Sequence, residues 1–521
     1  MATAAHPLAA LAGARILRDG GNAFDAAVAV AAALNVVEPF MSGLAGMGMA
    51  TCYVAAQKRV RTLDFVTRVP SRFEPAARRR ADLMRGPHSI GIPGNLAGWC
   101  ALLGELGTMT RAEVFAPTIE FAAGGFPLTD GHQRMTKGAA TELQANDEWA
   151  RVYADSPDTR SPGLRASHRG RVLRQPELAR TYETIVAEGP GYLYGGALGR
   201  DLVDHVQKRG GCLTLGDLQE FEPSWLEPQS APYRDLVIHT LPPPCEGFQF
   251  LLSLRILDGL DLGRMAPDGV DHLDAAYRAI RLAAEQRIQN NNAAPAVIAD
   301  VLSDRSVDEL RHRAGLHEPV FGRVEQWGDG TPEPGREHTT SFSVADAAGN
   351  MVCITQSLGS VYGSGLVVPG YGVCLNNFLN WGDLNTDSPN HLAPGAALAL
   401  PLAPSIATRE GQPVLALGTP GSYGICQTQT QVLVKHVDFV LPIQAAIEAP
   451  RARLMNGARV VVESRIEDDA LAALRQRGHE ITTAEPYTWF VGGAQAISRE
   501  PASGVLEGGA DPRRDGYAVA P

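Results

Sequence analysis

The chain contains no run of about 20 uncharged apolar residues, so neither a membrane-spanning helix nor a membrane partner is expected. Positive charge is also in short supply: 46 Lys and Arg stand against 57 Asp and Glu, for a formal charge of −11. Nucleic-acid binding needs an excess of cations to displace counter-ions from phosphates, so no nucleic-acid partner is expected. The one tight basic run, Arg78-Arg79-Arg80, reads as a solvated helix face. The seven cysteines include no CxxC pair and are odd in number, which points to reduced, mostly buried thiols. The 13 histidines form no HxH or HxxxH pair, so a zinc site has no support. Asp383, Asn385 and Asp387 have the spacing of a calcium loop, but Ser388 replaces the turn glycine and Pro394 the bidentate glutamate. No metal or organic cofactor is expected. The start, Met1 to Pro7, lacks the basic residues and long apolar run of a secretory signal. That predicts a cytoplasmic protein, or a periplasmic one if a leader has been removed.

What is present suffices for a large core. Of 521 residues, 45% are hydrophobic, and the 55 glycines and 36 prolines are dispersed among many turns. Leu8 to Asp19 reads as a helix stopped by Gly20-Gly21, and Asn22 as the N-cap of the next. Ala26 to Val37 is apolar on every side, as a buried helix is. The glycines of 43–48 imply close backbone approach. Strands are expected at Ala50 to Ala55 and Arg61 to Phe65, then helices and turns from Leu96 to Gly315. Pro242-Pro243-Pro244 marks a rigid entry to a helix at Phe248 to Leu257. Gly322 to His338 holds four glycines, two prolines and several charges, the composition of a flexible or cut segment. Beyond it short strands dominate: Thr340 to Ala345, Met351 to Gln356, Val373 to Asn376 and Val414 to Leu417. A helix at Ile425 to His436 follows, then strands at Arg459 to Glu463 and Ala494 to Ile497 around a helix at Ala470 to Arg477. This order suggests sheets covered by helices on their outer faces.

The run His338-Thr339-Thr340-Ser341-Phe342-Ser343-Val344 alternates as a strand does. It places Thr339, Ser341 and Ser343 on one face, and Thr340, Phe342 and Val344 on the other. Cutting the bond before Thr339 would put a hydroxyl nucleophile and a free α-amine base on one residue, one of the known forms of covalent catalysis. Taken alone, Thr339 reads equally as an ordinary strand residue.

Eight blocks in order make the chain resemble the γ-glutamyltransferase family of N-terminal-nucleophile hydrolases. They are Gly20-Gly21-Asn22-Ala23-Phe24-Asp25, Gly91-Ile92-Pro93-Gly94-Asn95, Pro242-Pro243-Pro244, Thr339-Thr340-Ser341-Phe342, Leu375-Asn376-Asn377, Gly418-Thr419-Pro420-Gly421-Ser422, Ala449-Pro450-Arg451 and Ala510-Asp511-Pro512-Arg513. The resemblance spans nearly the whole chain. It implies an α+β, four-layer αββα sandwich and a precursor that cuts itself between His338 and Thr339. A large fragment, 1–338, and a small one, 339–521, would then stay together as one intertwined heterodimer. It also implies Thr339 as nucleophile and base, the backbone N–H groups of Gly421 and Ser422 as an oxyanion hole, and Ser357 as a hydroxyl beside the nucleophile. Without the resemblance, residues 418–424 read as a tight strand-to-helix turn and Ser357 as a strand serine facing solvent.

The chain departs from the family where the substrate is held. The family's arginine after an Asp-Phe pair is Val66 here, with Arg68 two residues on. An asparagine position reads Gly359, a glutamine Phe378, an aspartate Trp381, and the paired serines fall near Leu400. Asn377 and Thr340 complete the expected substrate-binding set. A pocket lined by Val66, Phe378 and Trp381 would favour an acyl group without a charged α-ammonium, although Trp381 also suits core packing. The resulting expectation is an amide hydrolase or acyltransferase working through an acyl ester on Thr339. Relatives acting on glutaryl-cephalosporin-type amides fit an apolar wall, and small-amide hydrolases such as oxamate amidohydrolase fit a small one. A genuine glutathione hydrolase or γ-glutamyl transferase, and a silent relative kept as a binding protein, are the alternatives.

Overall fold

The computed structural model of the protein describes residues 1–154, 171–315, 320, 322–325 and 338–521. Most of the segment expected to be cut, 322–338, lies outside the described residues. Two antiparallel sheets form the centre. The first has seven strands in the order Tyr517–Val519, Ala2–Ala4, His338–Ala345, Met351–Gly359, Met47–Val54, Arg59–Phe65 and Ser224–Leu226. The second has six: Leu506–Ala510, Gln495–Arg499, Gln412–Gly418, Ser405–Arg409, Leu236–Thr240 and Gln229–Tyr233. Both sheets therefore combine strands from before and after the His338–Thr339 bond, and in the first Ala2–Ala4 lies between two strands from after it.

Pleating decides what each face meets, because successive side chains point to opposite sides. Phe342, Val344, Val352 and Ile354 point outward from the first sheet into one apolar cluster with the helix Ala23–Val37. That helix is buried along its whole length. Its start is fixed by a capping box: the Asn22 side chain accepts from the N–H of Phe24 and Asp25, and Asp25 accepts from the N–H of Asn22. Each fully buried valine, leucine or phenylalanine here contributes about 1.5–3 kcal/mol. The second sheet is covered likewise. Tyr233, Ile238, Ala407, Leu415 and Leu417 pack against the helices Phe248–Leu257, Val270–Gln289 and Ile425–Val437. The inner faces meet through Tyr53, Met351, Cys353, Ile406, Ala416 and Ile497, so the layers run helix, sheet, sheet, helix. Between the sheets lie hydroxyls bonded to backbone carbonyls, such as Thr51 Oγ1 to Pro404 O at 2.6 Å and Ser343 Oγ to Gln495 O at 3.2 Å.

The glycine-rich turn 43–48 is required by close approach. A Cβ on Gly46 would lie 2.3 Å from the carbonyl oxygen of Ser357. The structure corrects two other expectations. The region expected to be helices and turns also carries the strands Ser224–Leu226, Gln229–Tyr233 and Leu236–Thr240. Proline and charge interrupt their alternation, and Arg234, at φ +56°, closes the tight turn between the last two. Arg78-Arg79-Arg80 is not a helix face either: Arg80 Nη1 donates to the carbonyl of Gly382 at 2.8 Å and so pins the loop after Asn377. All seven cysteines are free thiols. Among the described residues, no helix is long and apolar enough to cross a membrane.

The second helix layer holds a fully buried ion pair, Arg287 Nη1 to Glu246 Oε2 at 3.1 Å. Arg287 also donates to Gln249 Oε1 and to the carbonyl of Val324. Removing one partner strands a charge in the core, which costs about 3–5 kcal/mol. Glu246→Ala should lose that much in urea unfolding, while Glu246→Met combined with Arg287→Met should lose clearly less. Equal losses would mean that packing, not the orphaned charge, sets the cost.

Candidate active site

Strand pairing brings Thr339 and Ser357 together. Gln356 pairs with Thr340, but His338 pairs with Gly359, so one extra residue is accommodated between them. That bulge turns Ser357 toward the first residues of the neighbouring strand. The Thr339 hydroxyl donates to Ser357 Oγ at 3.1 Å, and Ser357 Oγ donates in turn to the carbonyl of His338 at 2.6 Å. The N–H of Gly359 donates to the same Ser357 oxygen at 3.0 Å. A serine hydroxyl has one proton and two lone pairs, and here all three are engaged. Thr339 is 7% exposed and Ser357 1%, so the cluster works out of bulk water.

Gly421 and Ser422 lie where the strand Gln412–Gly418 turns into the helix Ile425–Val437. Gly421 has φ +131°, and Ser422 has φ +55°, a left-handed conformation that side chains resist by roughly 1–2 kcal/mol. Two neighbours fix the loop. Arg453 Nη1 donates to the carbonyl of Gly421 at 2.9 Å, and the N–H of Gly424 closes back on the same oxygen at 2.8 Å. With that carbonyl held inward, the turn is braced from below.

Val66, Phe378 and Leu400 belong to one apolar cluster, and the partly buried Trp381 packs against it. The Trp381 ring lies 5.4 Å from that of Tyr423, and the Arg287 guanidinium lies 4.5 Å over the Tyr423 ring. Arg68 is turned back on its own strand: Nη2 meets Asp64 at 2.9 Å and Nη1 the carbonyl of Val66 at 2.6 Å. Gly359, at φ +101°, has no room for a side chain, since a Cβ would lie 2.2 Å from Asn377 Oδ1. The Asn377 amide is itself engaged inside the protein, with Ser360, Met84 O and Ser360 Oγ. Asn377 thus shapes the site through the backbone rather than offering its amide to a ligand.

Thr340 is a correction. The pleat turns it to the side of the sheet opposite Thr339, and its hydroxyl donates to Glu38 Oε2 at 2.8 Å. Sequence reasoning passed over Glu38, which lies just past the buried helix and is 2% exposed. Burial raises its pKa to about 7, against the opposing effects of the Thr340 hydrogen bond and the Arg514 charge, with Asp515 adding to the rise. The signal was available: a lone acid closing an otherwise wholly apolar run.

Comparison with known proteins agrees with this geometry. The sequence model of the family described as Gamma-glutamyltranspeptidase matches residues 9–520. The Acylase ACY 1 proenzyme of Pseudomonas sp. (strain V22) is 32% identical, over 99% of this chain and 92% of its own. The glutathione hydrolase proenzyme of Bacillus subtilis (strain 168) is 30% identical, over 100% and 91%. Among solved structures, the cephalosporin acylase of Bacillus halodurans superposes with a TM-score of 0.89 at 30% identity, over 100% of this chain and 95% of that one.

The raised Glu38 pKa fixes a sign for stability. A carboxyl that binds its proton more tightly when folded contributes fully below its ordinary pKa of 4.5, and that contribution is lost as pH rises toward about 7. Glu38→Gln keeps the shape of the protonated acid and removes the loss. In a Thr339→Ala background, urea unfolding of the Gln variant should gain about 2–3 kcal/mol on the parent between pH 5 and pH 8. Parallel pH profiles would show that Glu38 is not held protonated.

Proposed function

The chain belongs to the γ-glutamyltranspeptidase family, and from that premise we propose that it is a self-processing amidohydrolase whose nucleophile is Thr339. The observation that carries the reading is the chain of hydrogen bonds from the Thr339 hydroxyl through Ser357 to the His338 carbonyl. In the uncut chain, Thr339 Oγ1 attacks the carbonyl carbon of His338. Ser357 holds the oxygen on which negative charge develops. Collapse of the adduct breaks the His338–Thr339 amide and leaves an ester on Oγ1, and the nitrogen leaves as the new α-amine. Water hydrolyses the ester, giving fragments Met1–His338 and Thr339–Pro521.

The freed α-amine has an intrinsic pKa of about 8, close enough to neutral to take the hydroxyl proton. Thr339 then attacks a substrate amide, the N–H groups of Gly421 and Ser422 receive the oxyanion, and the amine departs with the proton. Water, or an acceptor amine, releases the acyl group. Interleaving of strands from both sides of the cut supports two fragments that stay paired as a heterodimer.

The acyl group we propose lacks an α-ammonium. Val66, Phe378, Leu400 and Trp381 offer no carboxylate to pair with one, and Arg68 is spent on Asp64. Burying an unpaired ammonium costs several kcal/mol, roughly a hundredfold or more in kcat/KM. A glutaryl or similar dicarboxylic mono-acyl group, which lacks that ammonium, fits better than a γ-glutamyl group.

Two measurements test this. On a denaturing gel, wild type should resolve into two fragments and Thr339→Ala should remain one 55.4 kDa chain. Ser357→Ala should mature more slowly by about 10- to 1000-fold, the effect of losing one oxyanion donor. A wild type that stays whole on long incubation would instead favour the silent binding protein. With matured enzyme, glutaryl p-nitroanilide should exceed γ-glutamyl p-nitroanilide in kcat/KM by roughly a hundredfold. The reverse preference would make it a γ-glutamyl enzyme.

A further inference from the structure

Residues 322–325 precede the His338–Thr339 bond in the chain, yet they are bound to the part that follows it. The N–H groups of Val324 and Glu325 both donate to Asn456 Oδ1, at 2.8 and 3.0 Å. The N–H of Gly457 donates to the carbonyl of Gly322 at 2.9 Å, in an antiparallel bridge. The Val324 side chain is fully buried in an apolar cluster with Leu454 and Val460, and Arg287 donates to the Val324 carbonyl at 2.6 Å. This fixed backbone delivers the Glu325 side chain to Arg453. Glu325 Oε1 lies 3.5 Å from Arg453 Nη2, and both side chains are buried.

Arg453 in turn meets the candidate oxyanion turn. It stands in the strand Ala452–Leu454, and its Nη1 donates to the carbonyl of Gly421 at 2.9 Å. The fit beneath the turn is tight: a Cβ on Gly424 would lie 2.4 Å from that same nitrogen. The guanidinium controls more than a carbonyl. The C=O of Gly421 and the N–H of Ser422 belong to one planar trans peptide unit, so they point in opposite directions. Fixing the oxygen on Arg453 therefore fixes the aim of the Ser422 N–H on the far side. A cation on the carbonyl also polarises the peptide, which strengthens that N–H as a donor. Glu325 orients the guanidinium from behind, out of water, where the attraction is little screened.

We propose that Glu325 is a positioning residue for amide cleavage: acting through Arg453, it holds the Gly421–Ser422 peptide in the orientation that presents the Ser422 N–H to the oxyanion. The proposal rests on the amidohydrolase reading above, in which that N–H receives the negative charge. Glu325 belongs to the large fragment, and Arg453, Gly421 and Ser422 to the small one. The end of the large fragment thus stays docked after the cut and supplies part of the small fragment's working geometry. Glu325 makes and breaks no bond. Its effect falls on the chemical step, because the oxyanion exists only there. The segment's link toward Tyr423 and Trp381 runs through the Val324 carbonyl and Arg287, which a change of the Glu325 side chain leaves in place.

The test uses matured enzyme and glutaryl p-nitroanilide. Glu325→Gln, nearly unchanged in shape, should lower kcat about tenfold and leave KM within about twofold of wild type. Arg453→Met should lower kcat at least as far, and the double variant no further than Arg453→Met alone, because both substitutions remove one interaction. A Glu325→Gln kcat within about twofold of wild type, a loss confined to KM, or losses that multiply in the double variant would overturn the proposal. Hydrogen exchange replaces the cycle if Arg453→Met does not fold. In a Thr339→Ala background, Glu325→Gln should speed exchange of the amides of residues 421–424 about tenfold, and unchanged exchange would overturn the brace. The same measurement keeps the two readings apart. If wild type cuts no amide, the amidohydrolase reading fails, while faster exchange upholds the brace on the turn and unchanged exchange removes it.

Discussion

The pairing of His338–Ala345 with Met351–Gly359 is the constraint on which the rest depends. Pairing of Gln356 with Thr340 sets Ser357 opposite Thr339, and the extra residue before Gly359 lets the strand bend there. With it, one serine oxygen joins the Thr339 hydroxyl, the His338 carbonyl and the Gly359 N–H. The bulge in turn needs Gly359 at φ +101°, pressed against Asn377. Asn377 needs Ser360 and the carbonyl of Met84 to hold it there. A local irregularity is therefore locked by a shell of amide hydrogen bonds that are themselves buried, and its position cannot drift without breaking several of them at once.

The candidate site was legible in the sequence where it depends on pattern. The alternation after His338 gave the correct two faces, and the apolar run with Asn22 ahead of it gave the buried helix and its cap. Val66, Phe378 and Leu400, distant in sequence, belong to one large apolar cluster. What pattern could not give was contact between faces. Thr340 was placed in the substrate-binding set although the same alternation puts it on the face opposite Thr339, where it meets Glu38. Glu38 and Arg514 were missed for a related reason. Each is a single charge whose meaning comes from what burial brings near it, and neither has a periodicity. The hairpin 229–240 was missed because proline and charge break the alternation that would have announced it.

Charge inside this protein is handled in two distinct ways. Arg287, Arg451 and Arg513 are buried with carboxylates and additional hydrogen bonds, which offsets their desolvation and fixes the second sheet and its helices. Glu38 and Arg514 are buried without such closure. One is pushed toward its neutral form, and the other, its pKa lowered to about 10, keeps its charge but not its partners. Glu38 accepts from Thr340 on the strand that carries Thr339, and the two charges feel each other's field. Unfinished electrostatics of this kind is costly to a fold, and it is concentrated where a ligand or a proton would complete it.

The division between what cuts and what recognises follows from how each is built. In the proposed reaction the cutting elements are backbone groups and hydroxyls: the Gly421 and Ser422 turn, the Ser357 bulge, and Thr339. Strand pairing places them, and side-chain substitution nearby leaves them standing, as the serine at 422 does despite its left-handed backbone. The proposed recognising elements are side chains where strands end, such as Val66 after Arg59–Phe65, and Phe378 and Trp381 in the turn held by Arg80. These positions carry no ladder hydrogen bonds, so exchanging arginine for valine, or aspartate for tryptophan, alters the pocket without disturbing the sheet. On the proposed reading, one scaffold keeps an amide-cleaving centre while its acyl preference moves from a zwitterion to a group without an α-ammonium. The motif around Thr339 and the residues that line its cleft therefore answer different questions about the same molecule.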